Sequence, residues 1–250
     1  MGAWLAGGRL TAPAQRSVGR VPQGFGGRTV SFASDSGTRV TGWWLESGRS
    51  APRGTAILLH PLRGDRRAML GRAELLLAAG FDCLAVDLYA HGETQGERIA
   101  LGWRARHDVR AAVAFADRAE PNRPLVVLGR SLGGASALLA GPLGIDALVV
   151  ESVYPDVAKA VRNRIGMRLG PLAPVLAPLL LAQLPARLGC SAGDLAPADH
   201  VATAGCPVLV LGGAEDRRTT REETGALFER ASEPKALVLF AGAAHVDLQA

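Results

Sequence analysis

The pattern of apolar and polar positions changes along the chain and predicts two kinds of structure. Residues 29–32 and 39–45 flank a Ser-Asp-Ser-Gly turn signal, which is typical of an antiparallel hairpin. After residue 55, short aliphatic runs alternate with amphipathic segments of helical length. The runs lie at residues 56–59, 83–86, 125–128, 147–150, 208–211 and 236–240. Continuous aliphatic strands are expected where helices cover both faces of a sheet, so the sequence predicts an α/β fold with a mostly parallel sheet.

Two segments depart from this alternation. Residues 1–27 are rich in Gly, Ala and Arg without a sustained period, and we expect an irregular lead-in before a single domain over 28–250. Residues 152–199 interrupt the strands and are rich in Leu, Ala and Pro, which predicts an inserted helical lid. The uncharged stretch 169–186 contains four prolines and is shorter than the ~20 residues that a membrane span needs. It therefore favours a broken helical lid and no stable span.

Composition and charge narrow the classes of function. The net charge of +5 comes from scattered arginines, and aromatic residues are only 5% of the chain, so we predict no nucleic-acid partner. Cys83, Cys190 and Cys206 are few and lack metal-ligand spacing. We interpret them as small buried hydrophobic residues in a reducing compartment. Since the N-terminus lacks the pattern of a signal peptide or of a myristoylation site, we expect a cytoplasmic protein.

A candidate nucleophile stands between a predicted strand and a predicted helix. The strand 125–128 runs into Gly129-Arg130-Ser131-Leu132-Gly133, a Gly-x-Ser-x-Gly sequence. A serine on such a sharp turn needs glycines beside it, because its neighbours must leave room for a strained backbone. Its hydroxyl then projects above the carboxyl edge of the sheet, where the new helix directs its N-terminal amides. Chance occurrence in a glycine-rich chain is the alternative, but the strand and helix favour a nucleophile.

A serine hydroxyl needs a base within hydrogen-bond reach, and the base needs an orienting acid. Where a serine stands on such a turn, the acid and then the histidine follow it along the chain. His245 lies just past the last predicted strand and is our candidate base, whereas His200 precedes a strand and suits a surface role. Asp216 follows the strand 208–211 and is our candidate acid; the adjacent Glu215 stays open as an alternative.

Acyl transfer also needs amide donors for the developing oxyanion. The amide of Leu132 follows the nucleophile, and that of Leu62 lies in the loop after the first parallel strand. Pro61 has no amide hydrogen, so the donor in this loop must come from Leu62 or beyond. An ordinary strand-to-helix turn is the alternative for this loop. Asp87 and His91 follow another strand, and we interpret them as loop structure.

The chain resembles the α/β-hydrolase superfamily, and in particular its serine aminopeptidase-like and dienelactone hydrolase-like bacterial members. The resemblance covers residues 29–248 and rests on the order and spacing of residues 60–64, 87–92, 129–133, 213–216 and 242–245. It implies a serine hydrolase with Ser131 as nucleophile, His245 as general base and Asp216 as its orienter, without metal or organic cofactor. It implies no particular substrate.

Two features depart from the superfamily pattern. His60-Pro61 stands where superfamily members usually have His-Gly, and we expect a stiffer oxyanion loop. The sequence ends at Ala250, where relatives continue into a closing helix, and we expect less cover for the loop of His245. We expect either departure to reduce activity.

The leading hypothesis is a carboxylic-ester hydrolase for short to medium acyl groups, with a small ester or acyl compound as its partner. The apolar insertion 152–199 predicts a pocket for acyl groups, with Tyr89 and Met167 among its residues. Alternatively, the insertion packs on its own domain or on a second subunit, so a homo-oligomer stays open. A peptidase or amidase with the same residues, a non-catalytic binding protein and a lipid-binding protein that uses residues 169–186 are the competing hypotheses.

Overall fold

The computed structural model describes residues 2–245 and residue 248, and an eight-stranded sheet forms its centre. The strands along the chain are β1 (Ala14–Gln15), β2 (Gly26–Ala33), β3 (Arg39–Glu46), β4 (Thr55–Leu59), β5 (Asp82–Val86), β6 (His91–Gly92), β7 (Leu125–Arg130), β8 (Ala147–Glu151), β9 (Val208–Gly213) and β10 (Lys235–Phe240). The central sheet has the order β10-β9-β8-β7-β4-β5-β3-β2. The strands from β10 to β5 are parallel, and β3 and β2 form an antiparallel edge. The predicted α/β fold and its initial hairpin are confirmed.

Helices cover both faces of this sheet. They are α1 (Gly2–Leu10), α2 (Leu70–Ala78), α3 (Ala105–Ala119), α4 (Leu132–Ala140), α5 (Val157–Leu169), α6 (Ala173–Leu181), α7 (Leu184–Leu188) and α8 (Arg221–Arg230). Every residue of β4 and β5 is buried, as expected for strands between two helical layers. The predicted capping box at the start of α8 is present, with Thr220 and Glu223 each accepting a backbone N–H of the other.

The lead-in differs from the irregular segment expected for residues 1–27. It begins with α1, and β1 then pairs in parallel with β6. Glycine-rich sequence has low helix propensity, so tertiary contacts supply the stability that the sequence pattern lacks. Gly7 packs so closely on Gln183 that a Cβ atom would lie 2.3 Å from its Oε1. Arg63 caps the other end of α1, because its guanidinium donates to the carbonyl of Arg9 at 2.7 Å.

Helices α5, α6 and α7 fill most of the insertion between β8 and β9. A short 3₁₀ turn at Gly170–Leu172 separates α5 from α6, and Gly170 has a φ of +51° there. Leu184 and Leu188 pack with Leu139 of α4 in a small apolar cluster that attaches the insertion to the domain. By length and composition alone, Val157–Leu181 could cross a membrane, and only 11% of its most apolar window is buried.

Candidate active site

Ser131 occupies the sharp turn between β7 and α4. Its φ of 50° and ψ of −109° lie outside the regions that most residues adopt, so the backbone there is strained. Two hydrogen bonds hold this conformation: the Ser131 N–H donates to the carbonyl of Glu151 at 2.7 Å, and the Ser131 carbonyl accepts from the Ala135 N–H at 2.9 Å. The strain observed at Ser131 is typical of residues placed for function.

The glycines on either side of Ser131 are required by close packing. A Cβ atom on Gly129 would lie 2.4 Å from the Gly134 nitrogen, and one on Gly133 would lie 2.2 Å from the Leu59 carbonyl oxygen. Both separations are shorter than any contact that real Cβ atoms make. The Gly-x-Ser-x-Gly sequence is therefore a steric requirement of the turn.

Asp216 and His245 are in direct contact beside the carboxyl end of β9. The imidazole Nδ1 of His245 lies 2.7 Å from Oδ2 of Asp216. The loop that carries His245 is held to β9 by two backbone hydrogen bonds, from the Ala214 N–H to the Phe240 carbonyl at 2.9 Å and from the Glu215 N–H to the Ala243 carbonyl at 2.8 Å. Because β7, β9 and β10 are parallel strands of one sheet, Ser131, Asp216 and His245 all follow strand ends at the same edge.

The electrostatics of Asp216 favour its ionised form. Burial alone would raise the pKa of this carboxyl group, but hydrogen bonding to His245 and the backbone N–H groups of Thr219 and Arg218 lowers it overall. An ionised Asp216 can hold the Nδ1–H tautomer of His245, which leaves Nε2 free to accept a proton. The alternative acid, Glu215, is exposed, whereas Asp216 is only 4% exposed.

The two candidate oxyanion donors are free amides in the part of the chain that the structure describes. Neither the Leu132 N–H, at the start of α4, nor the Leu62 N–H donates to another described group. Leu62 is half-buried beside Ala14 and Ala90, and Leu132 is buried. The first amides of a helix favour negative charge, so the start of α4 is suited to an oxyanion.

Two buried histidines organise the loop that contains Leu62. His60 Nε2 accepts the Leu88 N–H at 3.0 Å, and its Nδ1–H donates to the Pro61 carbonyl at 2.8 Å. His91 Nε2 accepts the Arg63 N–H at 3.1 Å, and its ring packs against that of His60 with 4.9 Å between centroids. Burial lowers the pKa of His60 to about 4 and that of His91 to about 3. Both side chains are therefore neutral structural groups, which agrees with the interpretation of His91 as loop structure.

A second buried polar group fixes the loop after β5. The guanidinium of Arg66 contacts the carboxylate of Asp87 and that of Glu93, and it stacks on the ring of Trp43 at 4.6 Å. Asp87 also accepts the backbone N–H of Glu93 at 2.8 Å. These contacts agree with the interpretation of Asp87 as loop structure, which stays a prediction.

An ion cluster lies directly beside the Ser131 turn, and sequence reasoning missed it. Glu151 ends β8, is 2% exposed, and accepts from Arg72 Nη2 at 2.7 Å. Arg130 approaches the same carboxylate at 3.3 Å. A charged residue ending an otherwise aliphatic strand was the only available signal, and it did not reveal which cations would meet it.

The predicted substrate residues Tyr89 and Met167 lie on different elements. Tyr89 is half-buried after β5, and its N–H donates to Asp108 at 2.6 Å. Met167 lies on α5 and is 47% exposed. Burial raises the pKa of Asp108 to about 6, although hydrogen bonds from the Ser34 hydroxyl, at 2.7 Å, and from the Tyr89 N–H oppose this change. The substrate roles of Tyr89 and Met167 stay predictions.

The fold and this site geometry define the class of protein: an α/β hydrolase with a serine on a strand-to-helix turn. A comparison with family profiles matches residues 56–250 to the alpha/beta hydrolase family. The chain therefore belongs to that family.

Individual relatives agree with this assignment. An uncharacterized protein of Mycobacterium tuberculosis is 29% identical over 241 residues, which cover 92% of this chain and 78% of the relative. Among solved structures, the Pyrococcus furiosus esterase Pf2001 is similar with a TM-score of 0.74 and 21% identity, covering 94% of this chain and 90% of that one. Est1E from Butyrivibrio proteoclasticus, solved with ferulic acid bound, gives a TM-score of 0.66 at 20% identity over 88% of this chain and 92% of its own. At such identities the structural likeness concerns the fold.

Proposed function

We propose that this protein is a serine esterase that cleaves carboxylic esters of short to medium acyl groups through an acyl-enzyme on Ser131. The observation that carries the proposal is the 2.7 Å contact between His245 Nδ1 and the buried carboxylate of Asp216, beside the sheet edge where Ser131 stands in a strained turn. An imidazole oriented by a carboxylate is the base that a serine nucleophile requires. The esterases among the similar folds support the same class of reaction.

The proposed reaction has two balanced halves. In the first, His245 Nε2 takes the proton of the Ser131 hydroxyl while Oγ bonds to the ester carbonyl carbon, and the amides of Leu62 and Leu132 stabilise the negative carbonyl oxygen. The carbon–oxygen bond to the alcohol then breaks, and His245 donates its proton to the departing oxygen. In the second half, water replaces Ser131 by the same steps, which releases the carboxylic acid and restores the hydroxyl.

Labelling with a fluorophosphonate tests the nucleophile directly. Wild-type protein should carry a single adduct on the peptide that contains Ser131, and Ser131→Ala should lose both the adduct and p-nitrophenyl acetate hydrolysis. Ser136→Ala is a matched control, because Ser136 lies in α4 and donates only to the Leu132 carbonyl, at 2.7 Å. Labelling that survives Ser131→Ala would overturn the assignment. An intact fold without any labelling would instead identify a non-catalytic binding protein.

Substrate preference requires a separate comparison. The apolar insertion predicts that turnover of p-nitrophenyl esters is maintained or rises from acetate towards medium chain length, since burial of each methylene is worth about 0.8 kcal/mol. A fall beyond acetate would contradict an acyl pocket. Aminoacyl amides, assayed beside these esters, separate an esterase from a peptidase: faster cleavage of the amides would refute the proposed ester preference.

A further inference from the structure

An exposed apolar surface lies where α1 meets the insertion, and no catalytic role accounts for it. On α6 and the turn before it, Leu172, Val175 and Leu179 are 54%, 65% and 51% exposed at helical spacing. On α1, which contacts α6, Trp4 and Leu5 are 51% and 63% exposed. We call this set, with the neighbouring Leu10, Met167 and Leu169, the α1–α6 surface. Exposed apolar side chains gathered on contacting elements in this way mark a site of interaction.

The two segments that build the α1–α6 surface carry cations and no anions. The sequence contains no Asp or Glu in residues 1–34 or 157–193, the two segments from which this surface is built. Arg9, Arg162 and Arg168 are exposed on these segments. Arg187 stacks on Trp4 at 3.7 Å and places a cation beside the apolar side chains. Segments that combine exposed apolar and tryptophan side chains with cations match the boundary between acyl chains and anionic headgroups.

The apolar segment Val157–Leu181 cannot span a membrane while the domain is folded, because both of its ends connect to the same sheet. The insertion leaves the sheet at β8 and returns at β9, and these strands are adjacent and parallel. Ala173 and Ala177 bury the opposite side of α6 against the protein. The surface therefore faces outward as one side of a folded domain, which is the arrangement of a helix lying in the plane of an interface.

Hydrogen bonds link the α1–α6 surface to the candidate oxyanion loop. Arg63, which belongs to that loop, donates to the carbonyls of Arg9 and Leu10 at the end of α1, at 2.7 and 3.3 Å. The chain then continues into β1, which pairs with His91 and Gly92 of β6. A protein docked through α1 would thus hold its oxyanion loop close to the docking plane.

From these observations we propose that the α1–α6 surface docks the protein on anionic lipid bilayers. The occupant is a membrane of negative surface charge, because a second copy of this chain would bring the same cations together. The proposal goes beyond ester hydrolysis, and binding requires no turnover: Ser131→Ala should bind vesicles like the wild type.

Vesicle flotation of the full chain tests the proposal. Protein should float with vesicles of equal parts phosphatidylcholine and phosphatidylglycerol, and its partition coefficient should be on the order of 100-fold lower on phosphatidylcholine alone, since each cation near the surface contributes about 1 kcal/mol. High salt should weaken binding to the anionic vesicles. Equal partition onto both vesicle types, or no flotation with either, would overturn the proposal.

Matched variants locate the binding face. Val175→Gln and Leu5→Gln should each lower partition about tenfold or more, since each removes an apolar side chain from the acyl boundary. Leu75→Gln is the control: Leu75 is 64% exposed on α2, outside the α1–α6 surface, and its change should leave binding intact.

Arg168→Gln should weaken binding to anionic vesicles more than Arg118→Gln, which changes an exposed cation at the end of α3. Equal effects within either pair would refute the location. A dimer that dissociates in Val175→Gln, without flotation, would assign the face to a second copy instead.

Discussion

Replacing Glu151 by Gln removes one negative charge from the buried cluster beside the Ser131 turn and leaves the side-chain volume almost unchanged. The carboxylate of Glu151 accepts from Arg72 Nε at 3.1 Å and Nη2 at 2.7 Å, and Arg130 approaches it at 3.3 Å. Glu151 is 2% exposed and Arg72 5% exposed, so water cannot replace the lost partner. The guanidinium groups of Arg72 and Arg130 would then both lose the carboxylate of Glu151.

The magnitude follows from this burial. Removing one partner of a buried ion pair typically costs about 3–5 kcal/mol, because the other charge loses its counter-charge where water cannot replace it. For a domain whose whole stability is about 5–15 kcal/mol, such a loss is large. Glu46→Gln provides the matched control: Glu46 pairs with Arg28 at 3.0 Å, but the two side chains are 51% and 58% exposed. Exposed pairs of this type contribute about 1 kcal/mol or less.

Urea denaturation, followed by circular dichroism and extrapolated linearly to water, measures both losses. We expect Glu151→Gln to lower the free energy of unfolding by about 3–5 kcal/mol and Glu46→Gln by less than about 1 kcal/mol. A loss no larger than that of the control would refute the argument that the cluster stabilises the fold around the nucleophile.

Three further predictions concern the loops and helix starts around the site. The pKa values of about 4 for His60 and about 3 for His91 lie below the ordinary 6.5. As the pH drops, these histidines therefore bind protons in the unfolded chain before they do so in the folded protein. The free energy of unfolding should consequently fall between about pH 6.5 and about pH 4. Asp108, with a pKa of about 6, opposes part of this loss, and a free energy that stays constant or rises in Asp108→Asn over the same range would contradict the sign. Gly133→Ala places a methyl group 2.2 Å from a carbonyl oxygen of β4 and should abolish fluorophosphonate labelling or folding, as circular dichroism would distinguish; labelling at the wild-type rate would show that the turn relaxes. Thr220→Ala removes the cap of α8 and should cost about 1 kcal/mol in urea denaturation, whereas Thr220→Ser should cost less.

Local patterns in the sequence were sufficient for the sheet and for the residues after its strands. Aliphatic runs mark buried parallel strands, and their carboxyl ends meet at one edge, so the positions of Ser131, Asp216 and His245 follow from chain order. The hydrogen bond between Asp216 and His245 agrees with the choice of Asp216 over Glu215. The role of Ser131 as nucleophile stays a proposal that labelling will test.

Contacts between distant segments could not be predicted from these patterns. The helix at Gly2–Leu10 depends on Gln183, Arg187 and Arg63, and none of these partners is visible in a glycine-rich local sequence. In the same way, Glu151 meets Arg72 across the sheet only because the fold brings β8 and α2 together. Stability that comes from such pairs leaves no periodic trace along the chain.

The departure at Pro61 has a physical explanation in the geometry of its loop. Pro61 contributes its carbonyl oxygen to this loop. That oxygen accepts the His60 Nδ1–H at 2.8 Å and the Gly64 N–H at 2.9 Å. Proline keeps that oxygen and loses only an N–H, so the turn forms without the glycine that superfamily members usually have there. Arg63 donates its own N–H to His91, so the amide left for an oxyanion among residues 61–63 is that of Leu62. The substitution therefore narrows the candidate oxyanion donors of this turn, residues 61–63, to Leu62, and Leu62→Pro should slow fluorophosphonate labelling far more than Leu62→Ala does.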